Sequence, residues 1–468
     1  MLREAGVDLC RGGENEASVG TMIVPVDYVD WTNVVSILQK VRACDSFRCS
    51  GKQRRGGCMF GNMKRILALV LVVAMTVTLV TGCAPKPKPV VALVLWGSQD
   101  DQAMLQTMAD SFKAAHTNKD YTITLGVCGE DVAKDTVLRD LDAAGDVFAF
   151  ASDQIAALQS AGALLPVTIN TDAIKAANAP ASVTAATVDG QLVAYPSSAD
   201  TYFLYYDKKY VSDTEVGSLE TIMGKSLPTG VTNFAMNMSN GWYIASFFFA
   251  GGCKLFGATG TDATVCDFNN AGGLAAGQYM IKLAADKKKF ADYGANYDST
   301  MCQNFKDRKL AAAVSGTWNA TKVQEALGAD YAATKLPSIK INGSDVNMGS
   351  FANFKLYGVN SHTKAAEDAL ALAEWLTNKD NQLLRFQTRS FAPTNVTIDT
   401  ATLASNVAVA ADALQGKFAT LQPSIKQISN YWTPAAALGT SIETGKTTTA
   451  TLQKDLDALV KQILAALQ

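Results

Sequence analysis

Histidine is nearly absent from this chain: 468 residues hold two, His116 and His362. A site built on imidazole therefore has little to draw on. Each lies at the edge of a helix-forming segment, where a capping or surface role is expected. HExxH and GxSxG are missing too, which removes the signatures of zinc proteases and nucleophile-elbow hydrolases. Gly251-Gly252 and Gly272-Gly273 lack phosphate-loop spacing and a following Lys-Ser/Thr. Paired glycosidase carboxylates can meet from distant positions, so sequence does not exclude them. Nothing else favours catalysis, and the expectation is no enzyme, no metal and no cofactor. Internal repeats and long low-complexity tracts are also lacking.

No apolar run reaches the roughly 20 residues that a spanning helix needs. The longest, Ile66 to Val80, is interrupted by Thr76 and Thr78 and preceded by Met63-Lys-Arg. A basic start, a short apolar core and a small-residue exit have the form of a secretory signal. The exit, Leu79-Val-Thr-Gly-Cys83, resembles the bacterial lipoprotein signal in which Cys83 is lipidated and becomes the first mature residue. Ala84 to Pro89, an alternation of Pro and Lys, is a stiff solvated tether. Residues 1–62 hold Cys10, Cys44, Cys49 and Cys58 without a CxxC pair or a nearby His, so no zinc site is indicated. They are expected to be an upstream extension, with Met63 the true start.

Segment 1–82 carries ten Lys/Arg and seven Asp/Glu of the chain's 41 and 43, leaving 31 and 36, a formal charge of −5. That balance excludes nucleic acid and anionic membrane surfaces as partners. The remaining 386 residues suffice for two domains. In an exported chain Cys253 and Cys266, flanking a Gly-rich turn, are expected to pair. Such a bridge would contribute about 3 kcal/mol in the chain-entropy account. Cys128 and Cys302 are expected as buried thiols.

Periodicity alternates strand and helix: Val90–Trp96, Gln102–Ala115, Tyr121–Val127, Val132–Leu141, Asp146–Phe150, then Ile155–Ala161 with Gly162 as its cap. This predicts a parallel sheet with right-handed crossovers. Leu192–Pro196 and Tyr202–Asp207 read as extended. Helices are predicted at Ile244–Ala250, Leu274–Ala285, Ala365–Leu376 and Asn381–Arg389. A last helix carries Leu452, Leu456, Leu459, Val460, Ile463, Leu464 and Leu467 on one stripe. Trp96 and Trp375 sit in strongly apolar elements and are expected in the core. Trp242-Tyr243, Trp318 and Tyr431-Trp432 lie in polar surroundings, where flat aromatic faces suit the C–H face of a sugar.

The order of motifs resembles the extracellular solute-binding proteins of ABC importers, of the maltose/maltodextrin-binding type. The likeness is carried by Leu95-Trp-Gly97, Gly145 to Asp153 with Leu158 to Leu165, Asp189-Gly-Gln-Leu-Val-Ala-Tyr-Pro196 with Asp200 and Leu204 to Lys208, Ala313 to Trp318, and Ala366–Leu376 with Phe391-Ala-Pro393. It implies an α/β, two-lobe clamshell like the periplasmic binding proteins, each lobe a mixed, mostly parallel sheet flanked by helices. The lobes would be 90–199 with 357–405, and 200–356 with 406–468. The ligand contacts it implies are Asp100, Phe150, Asp153, Asp200, Trp242, Tyr243, Trp318 and Trp432. The implied partners are an oligosaccharide, a permease dimer with its ATPase, and the membrane through the lipid alone, for a monomer on the extracytoplasmic face.

The chain departs from that pattern at Asp101 and Gln154, where basic residues are usual, at Asn240 for an acid and at Phe150 for a Trp. Such changes are enough to alter which sugar is taken. Other readings are the same fold with another sugar, polyamine, iron or phosphate-bearing solute, a lipid-anchored glycan hydrolase, or a surface lipoprotein without a small ligand. Iron finds only Tyr205-Tyr206, and neighbours on a strand face opposite ways.

Overall fold

The computed structural model describes residues 87–467. The signal-like segment, Cys83 and the leader cysteines lie outside the described residues. Strand Val90–Gly97 leads through helix Gln102–Ala115 to strand Asp120–Val127, in parallel register from Val90 opposite Asp120. The helix buries Met104, Leu105, Met108, Ala109 and Phe112, the stripe that its spacing predicts. Strand Val147–Ala151 joins the other edge of the first strand, also parallel, with Leu95 opposite Val147. Parallel crossovers put the C-terminal ends of these strands on one side, where their loops can build a site.

Two sheets meet at a single residue. Strand Tyr195–Asp200 belongs to the first and Tyr202–Asp207 to a second, five-stranded sheet, with Thr201 between them. The second sheet runs Tyr331–Thr334, Tyr202–Asp207, Leu310–Gly316, Thr232–Ala235, Phe290–Ala291. The chain returns through Ser350–Val359, whose first residues pair with Ala419–Leu421. Its later residues lie antiparallel between Tyr195–Asp200 and Val147–Ala151. Pairing to the first sheet already begins at Asn353 opposite Asp200, ahead of the expected boundary at 357, because one ten-residue strand serves both lobes. Thr201 Oγ1 donates to Phe351 O at 2.6 Å and lies 2.8 Å from Ser350 Oγ, so the outgoing and returning crossings are tied together.

Each sheet has its own core. Leu93, Leu95, Phe112, Phe148 and Leu356 belong to the first lobe. Leu204, Phe234, Phe247, Phe248 and Tyr431 belong to the second. The last helix, Leu452–Ile463, closes the second lobe with Leu452, Leu456, Leu459, Val460 and Ile463 buried. Leu467, expected on that stripe, lies beyond the helix and is exposed.

Cys253 and Cys266 are buried free thiols, so the expected bridge is not formed. A backbone bridge from Leu255 to Cys266 and a hydrogen bond from Cys253 Sγ to Asn270 Oδ1 at 3.4 Å hold the turn instead. Burial pushes both thiols up to about 12, which keeps them protonated and unreactive. Cys128 is a buried thiol and Cys302 a half-buried one.

Trp96 is half-buried, its ring lying over Gly126 and Gly145 where a Cβ would collide with it. Trp375 packs edge-on to Phe112 and donates to Ser111 Oγ at 3.1 Å. His116 stacks on Phe112 at 4.0 Å, and His362 contacts Asp142 on the surface at 2.9 Å. Among the described residues no helix is long and apolar enough to cross a membrane, and no group of His, Cys, Asp and Glu is placed to hold a metal.

Candidate functional site

The first lobe brings its polar groups to the cleft on short turns at strand ends. Strand Val90–Gly97 runs into the turn Gln99–Asp101, Val147–Ala151 into Ser152–Gln154, and Tyr195–Asp200 ends on Asp200 itself. Asp100, Asp153 and Asp200 all line a cavity of about 560 Å³ between the lobes. Asp200 is buried, and its Oδ1 has no hydrogen-bond partner among the described residues. Desolvation raises Asp153 to about 7 and Asp200 to about 6.

The opposite wall is aromatic. Trp242 occupies the first turn of helix Gly241–Ala250, Trp318 follows strand Leu310–Gly316, and Trp432 lies near the start of helix Ser429–Glu443. All three are half-buried and line the cavity, as does the buried Tyr243. The Trp242 and Trp318 rings are 5.5 Å apart at 37°. Both of these indole N–H groups are satisfied: Trp242 Nε1 donates to Gln422 Oε1 and Trp318 Nε1 to Asp298 Oδ2, both at 3.2 Å. The Trp318 ring folds back over Gly316, where any Cβ would strike it, which gives a steric reason for the Gly-x-Trp order.

Phe150, expected against the ligand, is instead fully buried in the first-lobe core, 5.8 Å from Phe148. Strand alternation puts residues 148 and 150 on one face, and Ala151 is the residue that lines the cleft. The aromatic that does face the cavity from the first lobe is Phe391. Lys355 Nζ stands 4.8 Å from its ring centre and the Arg389 guanidinium 5.5 Å. Lys355, Arg389, Glu130, Asn353, Asp298 and Gln422 also line the cavity without having been expected there.

The departures from the family pattern have local explanations. Asp101 is 1% exposed and is paired with Arg389 Nε at 2.7 Å and Arg385 Nη1 at 3.6 Å. Gln154 clamps the 130–134 turn, donating to Glu130 O at 2.7 Å and Asp131 O at 3.0 Å and accepting from Lys134 N at 2.8 Å. Asn240 caps its helix through Trp242 N at 2.8 Å. Across the cleft mouth Lys322 Nζ of the second lobe reaches Asp100 Oδ2 at 2.5 Å, with both side chains well exposed. An exposed pair of this kind is weak.

The profile of the bacterial extracellular solute-binding proteins matches residues 107–411. The chain belongs to this family. A galactooligosaccharide-binding protein of Bacillus subtilis (strain 168) is 26% identical over 373 residues, 76% of this chain and 85% of that one. A maltodextrin-binding protein of the same strain is 27% identical over 286 residues, 59% and 68% of the two chains. Among solved structures, one determined with acarbose is 31% identical, with a TM-score of 0.75 over 80% of this chain and 98% of the other. A maltodextrin-binding protein from L. casei BL23 without ligand is 26% identical, with a TM-score of 0.70 over 80% and 99%. The solute-binding fold therefore spans nearly all of the described chain as two lobes.

A buried carboxyl with a raised pKa has a testable consequence. Desolvation also raises Asp412 to about 8, with the Asp200 charge adding to it. In the unfolded chain such groups titrate near 4. The folded form thus holds protons that the unfolded form releases. This stabilisation is complete below about pH 4 and lost as pH rises through 6 to 8. The unliganded protein is expected to melt at progressively lower temperature between about pH 5 and pH 8, with Asp412→Asn flattening the slope. Equal slopes for both proteins in a pH series of thermal melts would rule this out.

Proposed function

We propose that this solute-binding protein captures maltodextrin-like oligosaccharides and delivers them to the permease dimer of an ABC importer. The observation that carries this is the opposition of Trp242, Trp318 and Trp432 on one lobe to Asp153 and Asp200 on the other. Stacked faces would hold the pyranose C–H surfaces while carboxylates accept from hydroxyls. Asp100 and Tyr243 complete the set of contacts. Ligand touching both lobes favours the closed arrangement, which is what a permease can distinguish. The relatives that bind galactooligosaccharide and maltodextrin support an oligosaccharide. The relatives it matches are solute-binding proteins, and on that ground we read the protein as a monomeric carrier and not a hydrolase.

Thermal shifts of the full chain with maltotriose, longer maltodextrins, galactooligosaccharides, polyamines and ferric ion test this reading. At 100-fold excess over Kd a ligand stabilises by about 2.7 kcal/mol, which a melt detects. Stabilisation by oligosaccharides is expected; silence from every sugar would end the carrier reading.

We also place the protein on the extracytoplasmic face of the membrane through lipid on Cys83. A single-chain anchor is marginal and stable attachment takes two chains. Cys83→Ala is therefore expected to move the protein from the membrane fraction to the soluble one. Unchanged fractionation on an immunoblot would remove the anchor.

A further inference from the structure

The cleft holds more negative charge than its cations neutralise. Lys355 lies 3.8 Å from Glu130, Arg389 is paired with Asp101 and lies 3.8 Å from Asp100, and Lys322 of the polar extension reaches Asp100 at 2.5 Å. Asp131, Asp153, Asp200 and Asp298 line the same cleft and its polar extension, and among the described residues none has a Lys or Arg nitrogen within ion-pair distance. Asp200 adds an independent sign of a missing ligand group: it is 7% exposed, lines the cleft, and leaves Oδ1 without a partner. A buried acceptor left unpaired is costly, and a carboxylate is best satisfied by a charged donor. Asp101 and Gln154 are turned to structural tasks and supply no positive charge to the cleft.

Resting on the oligosaccharide reading above, we infer that the preferred ligand is an amino sugar, an oligosaccharide bearing a protonated primary amine. The indoles hold its rings, and the ammonium group supplies the missing donor to Asp200 and its neighbours. The preference comes from charge: a neutral sugar can donate hydroxyls to these oxygens but cannot offset the charge of buried Asp200 and half-buried Asp153, with the exposed Asp131 and Asp298 adding to the field around them. The raised proton affinity of Asp153 and Asp200 is consistent with this, since a nearby cation relieves the cost that desolvation imposes on them.

The test is calorimetric titration of the full chain at about pH 7.5 with matched pairs. These are 6-amino-6-deoxymaltotriose against maltotriose, and the glucosamine trimer of chitosan against its fully N-acetylated form. At least one amine is expected to bind tenfold or more tightly than its neutral counterpart, with the advantage shrinking as salt rises. Asp200→Asn should reduce the advantage, and Asp298→Asn, on the more open side of the cleft, serves where the first variant does not fold. Amines no tighter than their neutral partners would overturn the inference while leaving the carrier reading intact. Absence of binding by every sugar would overturn both.

Discussion

Asp101→Ala is expected to lower the stability of the chain by about 3–5 kcal/mol, because it removes one partner of a buried ion cluster. The Asp101 carboxylate is 1% exposed and lies between two guanidinium groups, Arg389 Nε at 2.7 Å and Arg385 Nη1 at 3.6 Å. Arg385 is itself buried and has one further strong contact, the Tyr357 hydroxyl at 3.0 Å. Deleting the acid strands its charge in the first-lobe interior, which costs more than the pair itself contributes. The cluster also fixes the turn that carries Asp100 and the end of helix Lys379–Arg389, just ahead of Phe391. Urea unfolding of the variant, with Asp101→Asn beside it, measures the loss. A change below about 1 kcal/mol would mean that the cluster is no more than a surface-type pair.

Trp318→Ala is expected to weaken oligosaccharide binding by about 30- to 1000-fold, the range of 2–4 kcal/mol for a well-placed aromatic anchor. Its ring is held from three sides: Gly316 beneath, Trp242 beside it at 5.5 Å, and Asp298 accepting from Nε1 at 3.2 Å. A face fixed in advance costs little ordering entropy when a sugar stacks on it. Trp318→Phe should recover part of the loss, since it keeps a flat face and gives up the Asp298 bond. Trp375→Ala is the matched control, with a tryptophan outside the cleft: it should reduce stability and leave affinity unchanged. An affinity for Trp318→Ala within threefold of the parent would show that the aromatic wall does not hold the ligand.

The fold was legible wherever one local pattern governed one element. The helix at Gln102–Ala115 and its five buried residues follow from periodicity alone. The site was legible only in part, because its walls come from segments that periodicity cannot bring together. Trp242, Trp318 and Trp432 stood out through polar neighbours. Phe150 lies outside the site because a family likeness does not fix which face a residue takes in a strand buried on both sides. Phe391 gave no signal as a cleft residue: its place depends on Lys355 and Arg389, the first of them on the returning strand. Asp101 looked like a change in sugar selection, and only its two arginine partners show it to be structural.

The returning strand also constrains when the protein can fold. Ser350–Val359 sits in the interior of the first-lobe sheet, between strands that end 150 residues or more ahead of it. Until it is synthesised, Val147–Ala151 and Tyr195–Asp200 have no partner on their shared side, and closing so long a loop is slow. The first half of the chain therefore cannot complete this sheet ahead of the second, and a nascent first half stays open until the returning strand has followed it.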